Sequence, residues 1–168
     1  MAIALVSVII SFLLDGLLSN YFNFSLINPS LFKTIYTIIA LVVILPYFNN
    51  DKKYLYILFG TAILFDIVYT NTFILNIVLF FLIYILNKFL DFFMPHNLLN
   101  SNIRSILSVT LYYILTFIIL NIVKYNEYSF SLLLNIITHS IIMTIIYTTI
   151  LYLLTKYLYG KFNIKQIR

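Results

Sequence analysis

Apolar residues along this chain come in long runs separated by short polar breaks. The runs do not alternate with period two, so they predict helices rather than strands. Six are long enough to read as spans, at 2–19, 30–48, 54–70, 72–90, 105–123 and 128–154. The breaks carry turn and capping residues. Asn20 to Asn28 is polar and aromatic, and Asn28-Pro29 has the form of a helix start, with Asn as cap and Pro at the first position. Pro46 and Asn49-Asn50-Asp51 end the second run, and Tyr69-Thr70-Asn71-Thr72 turns the third into the fourth. Asp91 to Arg104 is the longest interruption; it holds Pro95, a solvated His96 and an amphipathic turn at Leu98-Leu99. Lys124 to Glu127 is a short loop. The first run reads as a retained helix, because no basic residue precedes it and Asp15 lies inside it.

Composition decides the environment. Apolar residues make up 63% of the chain and charged residues 9%, and the mean hydropathy is +1.06. Soluble domains carry about 25% charged residues, so these few cannot coat a globule in water. The expected fold is an all-α polytopic membrane protein, a single transmembrane domain of six helices in contact with lipid. There is no cysteine, hence no disulfide and no thiolate metal site.

The net charge of +5 does not point to nucleic acid, because the basic residues lie at the ends of apolar runs. With six spans, Lys52, Lys53, Lys88, Arg104, Lys156, Lys161, Lys165 and Arg168 share one side, and only Lys33 and Lys124 face the other. That excess predicts a multi-pass protein of the cell membrane with both termini cytoplasmic.

The stretch Tyr54–Lys88 reads as a helical hairpin around which the chain is organised. Asp66 lies inside its first helix and Asn76 near the start of its second. A carboxylate at the centre of a membrane helix costs about 2.5–3.5 kcal/mol on insertion scales, so it asks for a partner or a function. Asp15, Asp66, Asn76, Asn135 and His139 all fall in the outer half on this topology, and together form a candidate polar cluster. Three roles stay open for it: bonding the bundle together, lining an outward cavity for a small molecule or partner helix, or relaying protons through Asp66 and His139. Gly16, Gly60 and Ala62 are candidate positions for close helix packing. No metal-ligand pair at helical spacing, no Gly-rich phosphate loop and no nucleophile beside a base is found, so no catalytic residue, metal or cofactor is expected.

The hairpin resembles MreD, the small membrane subunit of the bacterial rod-shape complex, or elongasome. That family carries a Gly-rich helix leading to G-L-L-x-D, a turn, then L-G-L-N opening the next helix. The matching text here is GTAILFDIVYTNTFILNIVLF. Asp66 and Asn76 take the places of the family's Asp and Asn. Ala62 replaces one glycine, and Ile74 replaces the glycine two before the Asn. NPSLFKTIYTIIAL resembles the opening of the family's second span, with Pro29 kept and Ser30 in place of an acid, and SLLLNIITHSIIMTIIYTTILYLLTKYL resembles its last helix. The resemblance implies a non-enzymatic protein that binds the bitopic partner MreC and helps organise peptidoglycan synthesis and cell shape. It also implies a fold like the substrate-binding S components of energy-coupling-factor vitamin transporters. Such an S component is the alternative reading of the function.

Overall fold

The computed structural model describes residues 2–21, 34–48, 50–70, 72, 74–123 and 129–161. Every regular element among them is helical. In chain order these are α1 (Ala2–Tyr21), α2 (Tyr36–Ile44, tightening to a 3-10 turn over Leu45–Tyr47), α3 (Asp51–Phe65, widening to a π turn over Asp66–Thr70), α4 (Leu75–Leu90), α5 (Leu98–Ile122) and α6 (Phe130–Lys161). The segments Asp51–Thr70, Leu98–Ile122 and Phe130–Lys161 are long and apolar enough to cross a membrane, while Ile3–Leu18, Tyr36–Tyr47 and Leu75–Leu90 are shorter apolar helices. The expected start of the second span at Asn28-Pro29, its Lys33, and the basic residues Lys124, Lys165 and Arg168 lie outside the described residues.

The bundle is built around α2 rather than around the α3–α4 hairpin. All nine residues of α2 are buried, and it packs against α1, α5 and α6. Its sequence, YTIIALVVI, is apolar on every side, as a helix with no free face must be. Pro46 tightens its last turn, and Phe48 leaves in extended conformation. Asn50 then starts α3, its side chain accepting from the Lys52 amide at 2.9 Å. The outward surfaces are as apolar as the interior: Ile9, Leu13, Ile67, Ile122, Ile146 and Leu153 are all about half exposed or more. So large an apolar exterior suits lipid and not water.

Close packing uses small residues beyond those the sequence suggested, and of those three only Gly60 takes no part in it. Ser101, Ser105 and Ser108 are buried along one face of α5, and small residues of this kind let helix backbones approach. Gly60 instead is exposed, and a Cβ built on it would meet nothing within 4 Å. Ala62 is fully buried. Gly16 lies under Tyr69, whose hydroxyl would sit 2.6 Å from an added Cβ. Tyr69 reaches α1 from the π turn, donates to the Phe12 carbonyl at 2.5 Å and packs on the Phe12 ring at 4.7 Å.

The connection 91–104 is shorter than its sequence suggests. Asn97 accepts from the Asn100 amide at 2.8 Å and so begins α5 at Leu98. The polar residues after it are therefore helical, and Arg104 is buried inside α5 instead of standing in a loop. At the other end α6 continues past residue 154, and carries Lys156 and Lys161 on helix.

Candidate functional site

Three aspartates hold the ends of the helices, and two of them do so in the same way. At the end where α1 finishes and α2 begins, α2 has no capping side chain of its own, because its N-cap residue is Ile35. Asp15 reaches across from α1 to supply one. Its carboxylate accepts from the amides of Tyr36 and Thr37 at 2.8 Å each and from the Thr37 hydroxyl at 2.5 Å. These amides are among the donors that a helix start leaves without intrahelical partners, and the positive end of the helix dipole favours the negative charge.

Asp66 repeats the device between α3 and α4. The N-cap residue of α4 is Ile74, again without a capping side chain. Asp66 Oδ1 accepts from the Thr72 hydroxyl at 2.6 Å, the Asn76 side-chain amide at 2.9 Å and the Asn76 backbone amide at 3.1 Å. The π turn at Asp66–Thr70 also brings the Thr70 hydroxyl to 3.0 Å from Asn76 Nδ2, which donates to it. Asn76 Oδ1 in turn accepts from the Tyr112 hydroxyl of α5 at 2.8 Å. Asp66 and Asn76 are both buried, and Asp66 Oδ2 has no partner among the described residues. The chain is therefore locked at this point: α3, the reversal, α4 and α5 share one hydrogen-bond network.

The backbone of the reversal is strained at one residue. Ile74 has φ 74° and ψ −14°, in the left-handed region. For an L-residue that conformation costs roughly 1–2 kcal/mol, and it is rarest for β-branched side chains.

The five polar residues expected to form one cluster do not do so. Asp66 and Asn76 are joined directly, and Asp15 serves α2 separately. Asn135 and His139 belong to neither group. Asn135 is exposed, and His139 Nδ1 donates to the Asn135 carbonyl at 2.8 Å within α6. Helix register explains the separation. The Ser11 and Tyr147 hydroxyls meet at 2.7 Å and so fix the level of α1 against α6. Asp15 lies about 6 Å beyond Ser11, whereas Asn135 lies about 18 Å beyond Tyr147 in the same direction. His139 is partly exposed at the flank of the buried Ile136–Ser140–Thr144 face of α6, and its ring bonds to the Asn135 carbonyl of its own helix.

The third aspartate works at the opposite end of the bundle. Asp91 accepts from the Arg104 guanidinium and from His96 Nε2 at 3.2 Å. Arg104 also donates to the carbonyls of Leu90, at 3.2 Å, and Met94, at 2.5 Å. It thereby ties α5 to the backbone at and just after the end of α4, adding to the Phe93 and Met94 amides that already donate to the Leu90 carbonyl. His96 is thus not solvated: its side chain is 4% exposed. Burial alone would raise the pKa of Asp91, but the hydrogen bonds and charges of His96 and Arg104 outweigh it and hold the carboxyl below its ordinary value. Nearby, Lys88 on α4 pairs with Asp51 at the start of α3. Lys52 and Lys53 remain exposed beside it.

Several polar contacts were not visible as signals in the sequence. Thr34 and Thr144 meet at 2.7 Å, and Asn87 donates to Ser108 at 2.8 Å. Isolated Ser, Thr and Asn residues in apolar runs carry no spacing that would single these out.

Chemically, the arrangement fastens helices to one another. Each carboxylate is occupied by backbone or side-chain donors of the next element. Comparisons with family models, with curated proteins and with solved structures find no match to this chain.

Proposed function

We propose that this chain is a non-enzymatic membrane subunit of the MreD type. On this reading it crosses the bacterial cell membrane six times with both termini cytoplasmic, binds MreC, and helps organise peptidoglycan synthesis and cell shape. Its bundle would be of the S-component kind. The observation that carries the reading is the conformation of Ile74. In the family pattern a glycine stands two residues before the Asn, and here that position takes φ 74°, a conformation natural to glycine and costly for isoleucine. A backbone that keeps a glycine geometry without the glycine fits a hairpin descended from one that had it. The Asp66–Asn76 bond gives the family's Asp and Asn a joint physical purpose, as cap and capped residue of the returning helix.

The mechanism is that of a rigid scaffold. Locking α3 to α4 and α5 fixes the lateral apolar face of the hairpin, where Ile67 and Val78 are exposed. That face supports the surface on which a partner's membrane helix rests. The eight-to-two distribution of Lys and Arg supports the orientation, since the rule counts basic residues and is little affected by Asp51 and Asp91 beside them.

The test is a mild-detergent pull-down of the tagged chain from its native cells, read by mass spectrometry. MreC and cell-wall synthases should be recovered, and Asp66→Leu should reduce their yield. Recovery of a transport subunit with its ATPases would overturn the proposal in favour of a vitamin transporter.

A further inference from the structure

α1 and α6 run antiparallel and leave a trough between them of about 360 Å³. Ile3, Ile10 and Leu14 form one wall and Ile150, Leu154 and Leu158 the other. Its floor is closed near one end by the Ser11–Tyr147 hydrogen bond. The three hydroxyls that line it make no demand on an occupant: Tyr147 is bonded to Ser11, Ser7 donates to the Ala4 carbonyl and Thr155 to the Leu151 carbonyl, the last two at 2.8 Å each. The trough therefore asks for an apolar filling without donors or acceptors.

Its length narrows the choice. From Ile3 to Leu14, and from Tyr147 to Leu158, the walls run about 16 Å. That is half of a hydrocarbon core of about 30 Å, or the depth of one leaflet. A partner's membrane helix would use a seam of the full depth. An acyl chain of one leaflet needs only this much.

The open end supplies the charge. Lys161 lies three residues after Leu158 and seven after Leu154, so it shares their face one turn beyond the trough. It is exposed, and no carboxylate among the described residues pairs with it. We infer that the α1–α6 trough binds one anionic phospholipid of the inner leaflet, with an acyl chain between the helices and the phosphate at Lys161. The inference rests on the proposed orientation, with the Lys161 end cytoplasmic, and is independent of the cell-shape role.

The experiment is native mass spectrometry of the full chain released from mild detergent, with phosphatidylglycerol or phosphatidylcholine titrated in. One phosphatidylglycerol should be retained per chain, held about fivefold more strongly than phosphatidylcholine, as one cation near the membrane surface provides. Lys161→Gln should remove the preference. Ser7→Phe, which fills the trough, should remove the retained lipid altogether. Its thermal midpoint shows whether it is folded, and Ser7→Leu replaces it if it is not. Equal retention of the two lipids by the wild type would overturn the inference. So would retention unchanged in both variants, or displacement by inorganic phosphate alone, which would mean that the trough takes no part. A photocrosslinker at Ile10 joined to a protein helix instead of lipid would overturn it too.

Discussion

The Asp66–Asn76 bond should appear as a measurable coupling between two side chains. Asp66→Ala removes the acceptor for the Thr72 hydroxyl and for both Asn76 donors, at 2.6, 2.9 and 3.1 Å. In soluble proteins a hydrogen bond to a charged group contributes about 1.5–3 kcal/mol. Inside a membrane bundle the measured mean per bond falls to about 0.6 kcal/mol, because the unfolded chain in the membrane also finds partners. Two of the three bonds end on one residue and are not independent. The expected loss for Asp66→Ala is therefore about 2–4 kcal/mol, between those limits. Asn76→Ala loses the side-chain bond to Asp66, the bond to the Thr70 hydroxyl and the one from Tyr112, and should cost about 2–3 kcal/mol.

The decisive quantity is the double-mutant cycle, since single substitutions also change packing. Asp66→Ala with Asn76→Ala should couple by about 1–2 kcal/mol. Asp66→Ala with Asn87→Ala is the control. Asn87 is eleven residues further along α4, about 16 Å away along the axis, and its partners Ile83 and Ser108 are not shared. That pair should add to within about 0.5 kcal/mol. The assay is reversible unfolding in mixed mild-detergent and dodecyl sulfate micelles, followed by helical circular dichroism. An additive Asp66–Asn76 cycle would refute the view that this pair locks the hairpin.

Three further expectations come from the same geometry. Ile74→Gly should stabilise the fold by about 1 kcal/mol, because it relieves the left-handed strain at φ 74°; a lower unfolding midpoint would show that the Ile74 side chain contributes more than its backbone costs. Gly16→Ala and Gly60→Ala should move stability in opposite directions: the first places a Cβ 2.6 Å from the Tyr69 hydroxyl and should cost about 1–3 kcal/mol, whereas the second meets open space and should gain about 0.5–1 kcal/mol of helix propensity, and the same micelle assay reads both. Asp91, whose folded carboxyl titrates below its unfolded value of about 4, contributes stability that is complete above that pH and is lost as pH falls through the folded value; the midpoint of the wild type should drop on acidification below pH of about 4 while Asp91→Asn shows a shallower drop, and parallel curves would refute the assignment.

How much of this could be read from the sequence depends on whether the signal was local. The apolar runs gave the helices, because apolar length is a local property. The Asp66–Asn76 pairing was within reach because ten residues of chain form a hairpin that returns on itself. The boundaries were less secure: Asn97 is one of several asparagines in 91–104, and only its bond to the Asn100 amide marks it as the cap. Long-range neighbours were out of reach. Nothing local states that α2 is central, or that Tyr147 of α6 meets Ser11 of α1, or that Asn135 and His139 lie off the buried face of α6.

The aspartates carry the most general point. A carboxylate within an apolar run demands compensation, and the search for it in the sequence favours other polar side chains: a histidine, an asparagine, a cation. Yet the first donors a membrane helix bundle offers are its own helix starts, each with backbone amides that lipid cannot satisfy. Asp15 and Asp66 sit near the ends of α1 and α3, where the chain must reverse and start a new helix, and neither α2 nor α4 brings a capping side chain. One buried acid and one uncapped helix start are each unfavourable in lipid; placed together they satisfy each other. An acid late in one membrane helix, followed by a helix that opens on Ile or Leu, should therefore be read first as a cap supplied from the preceding helix. It becomes a candidate for binding or proton transfer only when its donors cannot be found in the backbone that follows.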